Sequence, residues 1–199
     1  MSFVAGKRTI INIRKTSALL DRTNFFTISK EYLRNKNITH IEFQTYSPHD
    51  TYKGNQVQNE NSKAAIYLVL SAGKDLLEIH TPAGEVIAPE CISRLFGYNG
   101  NNIGCSYITS AQYIDLAGFN TSNVTDISYL FQNCNNLKSI NLSNFDFSKV
   151  TACTGMLENV GNNVSETKIS VTAAGKAFIE ANKNTICYDE GKHTLVVVP

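Results

Sequence analysis

Histidines, cysteines, aspartates and a glycine-rich stretch are the residue types here that could carry chemistry, and their spacing decides which chemistry is open. His40, His49, His80 and His193 stand in no His-x-x-x-His or Cys/His spacing of the kind that grips a metal. His49 adjoins Asp50, but a hydrolytic centre would also need a nucleophile on a sharp turn such as Gly-x-Ser-x-Gly, and the chain has none. Cys91, Cys105, Cys134, Cys153 and Cys187 are odd in number and contain no Cys-x-x-Cys pair, so they read as small buried hydrophobes rather than a disulfide framework or zinc site. The glycine-rich stretch Gly-Tyr-Asn-Gly-Asn-Asn-Ile-Gly at 97–104 follows an expected helix and leads into a strand. A phosphate cradle needs the opposite order. Asp115, Asp126 and Asp146 match neither an EF-hand loop nor a nonapeptide calcium pattern. The sequence therefore predicts no catalytic residue, no metal and no cofactor.

Composition narrows the partners. The 199 residues suffice for one domain with a real core, and 42% are hydrophobic. Charged residues are only 18%, and the 22 asparagines outnumber the 18 lysines and arginines, so the surface is wetted by amides. A net charge of +1, with the basic residues in isolated doublets such as Lys7-Arg8 and Arg14-Lys15, gives no footprint for nucleic acid or an anionic membrane. The longest apolar run, at 64–70, is far short of the ~20 residues a membrane helix needs. The first residues lack the basic and apolar regions of a signal peptide.

An internal repeat positions everything else. Residues 114–133 align with 140–159 at an offset of 26, with identities at Ile114/Ile140, Leu116/Leu142, Phe119/Phe145, Ser122/Ser148, Val124/Val150, Thr125/Thr151 and Asn133/Asn159. A partial copy upstream sets Ile92-Ser93-Arg94-Leu95-Phe96 against Ile127-Ser128-Tyr129-Leu130-Phe131 at an offset of 35. Within each copy, Leu137-x-x-Ile140-x-Leu142 and Ala111-x-x-Ile114-x-Leu116 alternate like a strand with one buried face, in the L-x-x-L-x-L pattern of leucine-rich repeats. A polar turn follows, and Thr125-Asp126 reads as the N-cap of a short helix carrying Ile127, Leu130 and Phe131 on one face. Such a strand-turn-helix unit must stack on a neighbour to bury itself.

Flanking segments are expected to close the stack. Strands are predicted at 9–14, 38–43, 65–71, 76–81 and 85–88, a helix at 29–35, a loop at 46–63, and turns at 72–75 and 81–84. The spacing at 38–43 matches the repeat strand. At the other end, a strand at 169–171, a helix at 173–182 capped by Thr172, and a strand at 194–198 are predicted.

The run from Asp115 through Phe131, Cys134 and Phe145 to Val150 resembles the BspA-like leucine-rich repeat of bacterial surface proteins, densely over 92–157. Cys153-Thr154-Gly155 departs from it, where that family prefers Met-Ser-x. The resemblance implies an α/β fold: a short leucine-rich-repeat solenoid in a single domain over 1–199. Its β-rich N-terminal cap would span 1–88, the repeats 89–165, and a strand-helix-strand C-terminal cap 166–199. It further implies a non-enzymatic, secreted or surface-attached module for adhesion.

Alternation then names the surface that would bind. With Ile114, Leu116, Ile140 and Leu142 inward, Tyr113, Asp115, Ser139 and Asn141 point outward, continued by Lys168 and Ser170. An exposed tyrosine among amides suits a protein or glycan of a host or neighbouring cell. The alternative expectation is a structural component of a phage or cell-surface assembly.

Overall fold

A computed structural model describes residues 18–32, 37–45, 55–56, 58, 60–62, 66–70, 76–81, 85–100, 108 and 110–199. The strand expected at 9–14, the turn at 72–75, most of the turn at 81–84, His49, and residues 101–104 of the glycine-rich stretch lie outside them. The chain is a mixed α/β structure whose strands are mostly parallel.

Alternation of apolar and polar residues builds the main sheet. Its strands are β2 (His40–Thr45), β3 (Asn55–Gln56), β4 (Tyr67–Leu70), β5 (Leu76–Thr81), β7 (Tyr113–Asp115), β9 (Ser139–Leu142), β10 (Thr167–Val171) and β11 (His193–Val197). They lie in the order β11-β10-β9-β7-β2-β5-β4-β3, parallel from β11 to β5 and antiparallel at β5-β4 and β4-β3. Register keeps equivalent residues abreast: Ile41, Ile114, Ile140 and Ile169 form one inward row, each buried. Strand β2 pairs directly with β7, and thus separates β7 from β5. A second, three-stranded parallel sheet joins β1 (Ala18–Leu19), β6 (Val86–Ile87) and β8 (Phe119–Asn120).

The third side of each unit corrects the sequence reading. Where a short helix is expected at Ile127, Leu130 and Phe131, there are successive tight turns. Leu130, Gln132 and Cys134 donate their N–H groups three residues back, to Ile127, Tyr129 and Phe131. The N–H groups between them leave the unit: Ile127, Tyr129, Phe131 and Asn133 donate to the carbonyls of Ala152, Thr154, Met156 and Glu158 in the next copy. Ile92, Arg94, Phe96 and Tyr98 donate in the same way to Asp126, Ser128, Leu130 and Gln132. An α-helix would instead send each N–H beyond its first turn four residues back within the same unit. The turns need a left-handed residue at one fixed place, occupied by Arg94 (φ 56°), Tyr129 (φ 58°) and Gly155 (φ 61°). Gly155, where the repeat pattern lapses, also makes room: a Cβ there would lie 2.6 Å from the Tyr129 ring. On the other side of that ring sits the Arg94 guanidinium, 4.1 Å from its centroid. Asn133 and Asn159 hold a second left-handed position, at φ 62° and 58°.

The core runs through the stack. Ile127, Leu130, Phe131, Met156 and Leu157 are buried inside it. Phe25, Phe96 and Phe131 form an aromatic series with centroids 5.9 Å apart at each step, Phe96 and Phe131 lying nearly parallel.

The ends differ in how well the sequence anticipates them. Helix α1 (Arg22–Tyr32) begins earlier than the expected 29–35, because the Asp21 carboxylate accepts from the Asn24 N–H at 2.8 Å and starts the helix there. It brings Arg22 to Ser93, where the guanidinium donates to the backbone carbonyl (2.8 Å) and the hydroxyl (3.0 Å). The loop expected at 46–63 contains β3, which completes the edge of β4. At the C-terminal end, β10, α2 (Ala173–Ala181) and β11 stand close to the expected positions, with the Thr172 hydroxyl accepting from Gly175 N–H. Phe178 of α2 stacks on Phe147 at 4.7 Å.

His193 pins this last unit. It is buried; its Nδ1 accepts from the Asp189 N–H (3.0 Å) and its Nε2 lies 3.3 Å from the Val160 carbonyl. Those two contacts together require a neutral ring with the proton on Nε2. Burial pushes its pKa below the ordinary 6.5, against smaller opposing effects from the Val160 hydrogen bond and the nearby Asp189 carboxylate; Lys192 adds to the lowering. The unfolded chain therefore takes up a proton that the folded chain refuses, so stability is full above pH 6.5 and falls as pH drops below it. Chemical denaturation between pH 7.5 and 5 should show this decline in the native chain, and His193→Gln should lose that component of the slope.

Candidate functional site

The outward row of the main sheet carries the residues singled out by alternation. Tyr113 is exposed, Lys168 is exposed, and Asp115, Ser139, Asn141 and Ser170 are half-buried. Register aligns Tyr113 with Ser139 and Ser139 with Lys168, then Asp115 with Asn141 and Asn141 with Ser170, in two rows across the strands. Tyr113, Asp115, Ser139, Asn141 and Ser170 share the wall of one open cleft of about 640 Å³. Lys168 borders a neighbouring recess and lies 4.0 Å from Glu166.

Two of these polar groups are committed to the fold. Asp115 Oδ1 accepts from the Ala117 N–H (2.8 Å) and from the Asn141 amide (2.9 Å), while Asn141 Oδ1 accepts from the Ser143 N–H (3.0 Å). Each side chain thus closes the turn after its own strand, and the pair ties one repeat to the next. Both residues nonetheless line the cleft.

Residues from outside the repeats complete the site. His40 and Glu42 of β2, Ser143 and Asn144 after β9, and Val198 and Pro199 after β11 also line the cleft. The His40 ring stacks on Tyr113 with centroids 4.5 Å apart and planes 15° from parallel. Its Nδ1 is 2.8 Å from the Thr39 hydroxyl. The spacing Ile38-x-x-Ile41-x-Phe43 carries the signal for both β2 residues, because aligning Ile41 with Ile114 places His40 beside Tyr113 and Glu42 at the level of Asp115. The cleft offers an aromatic platform rimmed by hydroxyl, amide and carboxylate groups.

Other reactive groups are held in structural roles. Cys91 Sγ donates to Asp126 Oδ2 at 3.3 Å and lies 3.3 Å from the Ser93 hydroxyl. Burial pushes the Asp126 carboxyl up, but hydrogen bonds from Ser128 and Cys91 and the charge of Arg22 together outweigh it and hold the group below 3.8. Burial raises the thiols of Cys153 and Cys187 above 9.0, Glu158 adding to the effect at Cys187, and this keeps them from the reactive thiolate. Cys91, Cys134, Cys153 and Cys187 are free thiols. Among the described residues no group of three His, Cys, Asp or Glu side chains is placed to hold a metal ion. No helix among them is long and apolar enough to cross a membrane.

Residues 106–184 match a family described as a Mycoplasma protein of unknown function, DUF285. That segment contains all six outward residues first named. No curated protein and no solved structure matches the chain.

Proposed function

We propose that this chain is a non-enzymatic binding module of a bacterial cell-surface or secreted protein, a short leucine-rich-repeat solenoid of the BspA-like kind that recognises a protein or glycan through the outer face of its parallel sheet. The observation that carries the reading is the stack of exposed Tyr113 on half-buried His40, standing in one continuous polar cleft. Rigid aromatic area beside adaptable amides and hydroxyls is what recognition surfaces use, since little side-chain freedom is lost on binding. The repeat at 114–159, stacked in register, supplies the extended face on which repeat proteins bind.

A glycan and matrix-protein array probed with the purified chain tests this directly. Tyr113→Ala is expected to weaken any ligand found there by about tenfold or more, the loss typical of a central aromatic anchor. Binding that ignores Tyr113→Ala would remove the strand face from the proposal.

A second reading, a structural component of a phage or cell-surface assembly, is favoured by the edge strand β11, where Val196 and Val197 are 38% and 50% exposed. An apolar, unpaired edge is a template for another strand. Concentration-dependent sedimentation, abolished by Val197→Lys, would favour that reading.

A further inference from the structure

Resting on the proposed use of the strand face, we infer that the recess beside the cleft is a subsite for an acidic sugar, a hexuronic acid ring held between Tyr113 and Lys168. The recess encloses about 500 Å³ and is bordered by Tyr113, Lys138, Ser139, Asn163, Glu166 and Lys168.

Its shape follows from the register. The 4.5 Å separation of the His40 and Tyr113 rings nearly equals the ~4.8 Å between neighbouring strands, so both ring normals run across the sheet. One face of Tyr113 is covered by His40, and the other faces the next strand position, Ser139. Serine is too short to cover it. The following position is Lys168, so Tyr113 and the Lys168 stem stand two strand spacings, about 9.6 Å, apart above a serine floor. A flat ring in carbon contact with both walls needs roughly 7–8 Å, and the remainder suits a puckered ring with an axial substituent. A pyranose has that thickness, an apolar C–H face for the tyrosine, and hydroxyls for Ser139.

Charge selects among sugars. Two ammonium groups, Lys138 and Lys168, border the recess against one carboxylate, Glu166. That carboxylate already accepts from the Thr194 hydroxyl at 2.6 Å and lies 4.0 Å from Lys168, while Lys138 has no ion-pair partner among the described residues. The recess therefore holds two ammonium groups against one carboxylate, while the Glu42 and Asp115 carboxylates stand in the adjoining cleft. A carboxylate on the sugar ring would meet the ammonium pair.

Calorimetric titration with tri-galacturonate, its methyl ester and maltotriose tests the inference. The acid should bind, with the uncharged ester and maltotriose each about tenfold weaker. Ser139→Leu, which fills the slot from an outward position, should abolish binding of the acid with an unchanged melting temperature. Lys168→Met, which keeps the stem and removes the charge, should weaken the acid several-fold and leave the ester unaffected. Equal affinity for acid and ester, no binding of the acid, or indifference to Ser139→Leu would each overturn the acidic-sugar subsite. If the acid fails while an array ligand is lost on Tyr113→Ala, the strand-face reading stands without this subsite. If an array ligand ignores Tyr113→Ala, the strand-face reading fails with it.

Discussion

Phe131→Ala should lower the free energy of unfolding by about 3–5 kcal/mol, the range for deleting a buried aromatic ring. Phe131 is fully buried, and its ring continues the series from Phe25 through Phe96. The backbone on both sides of it is fixed by bonds to two neighbouring copies, Phe96 N–H reaching Leu130 and Phe131 N–H reaching Met156. A unit pinned from both sides cannot collapse into the space left by the ring, so the penalty belongs at the upper end of that range. With a domain of this length losing roughly 2–4 °C per kcal/mol, the melting temperature should fall by about 6–20 °C. A shift no larger than that of an exposed substitution such as Lys149→Ala would show that the stack is not packed through this ring.

Gly97→Ala should be nearly as damaging for the opposite reason. A Cβ at Gly97 would lie 2.3 Å from the Tyr129 carbonyl oxygen and 2.6 Å from the Gln132 nitrogen, and both are backbone atoms. Those two atoms are hydrogen-bonded to each other at 3.0 Å, and Tyr98 beside the glycine donates to the Gln132 carbonyl. No side chain can swing aside, so the two copies must separate and lengthen the bonds between them. Overpacking of this kind costs about 3 kcal/mol. Urea denaturation of the variant, with an unchanged slope and a lower midpoint, is the expected result; a midpoint equal to that of the native chain would refute the close approach.

Strands were the legible part of the sequence because the signal there is local. Tyr113, Asp115, Ser139 and Asn141 alternate with residues that can only be inside, and a period of two admits one assignment of faces. The turn column differs from the expected helix because its signal is ambiguous. Ile127, Leu130 and Phe131 sit inward in successive three-residue turns as they would on a helix face, so apolar spacing does not separate the two. Asn133, Asn159 and Gly155, residues that tolerate left-handed backbone, were the discriminating sign. The placement of β2 between β5 and β7 was out of reach of any local pattern, since it pairs residues 73 positions apart, as in His40 with Tyr113. That pairing is also why the sequence does not point to His40 and Glu42. They enter the candidate site from a strand whose repeat-like spacing was visible but whose neighbour was not.

Asparagine abundance belongs to the same account. Asn133 donates to the Tyr98 carbonyl and Asn159 to the Asn133 side chain, so these amides link copy to copy along one edge. Much of the unusual composition thus serves the stacking and is no signature of a ligand.

Between Ile127 and Asn133 the bonds to the next copy run one way, N–H groups giving to the carbonyls of Ala152, Thr154, Met156 and Glu158, whereas at the start of the column Thr125, Asp126, Thr151 and Ala152 donate back to the copy before. A column so built has a head and a tail. Its head presents carbonyl oxygens, and there the Arg22 guanidinium takes the Ser93 carbonyl. A whole extra unit of the same sense, spliced between two copies, would meet on each side the donors and acceptors that its neighbours already offer. A chain lengthened in complete, same-sense steps would widen the outward face of the main sheet by one strand with each.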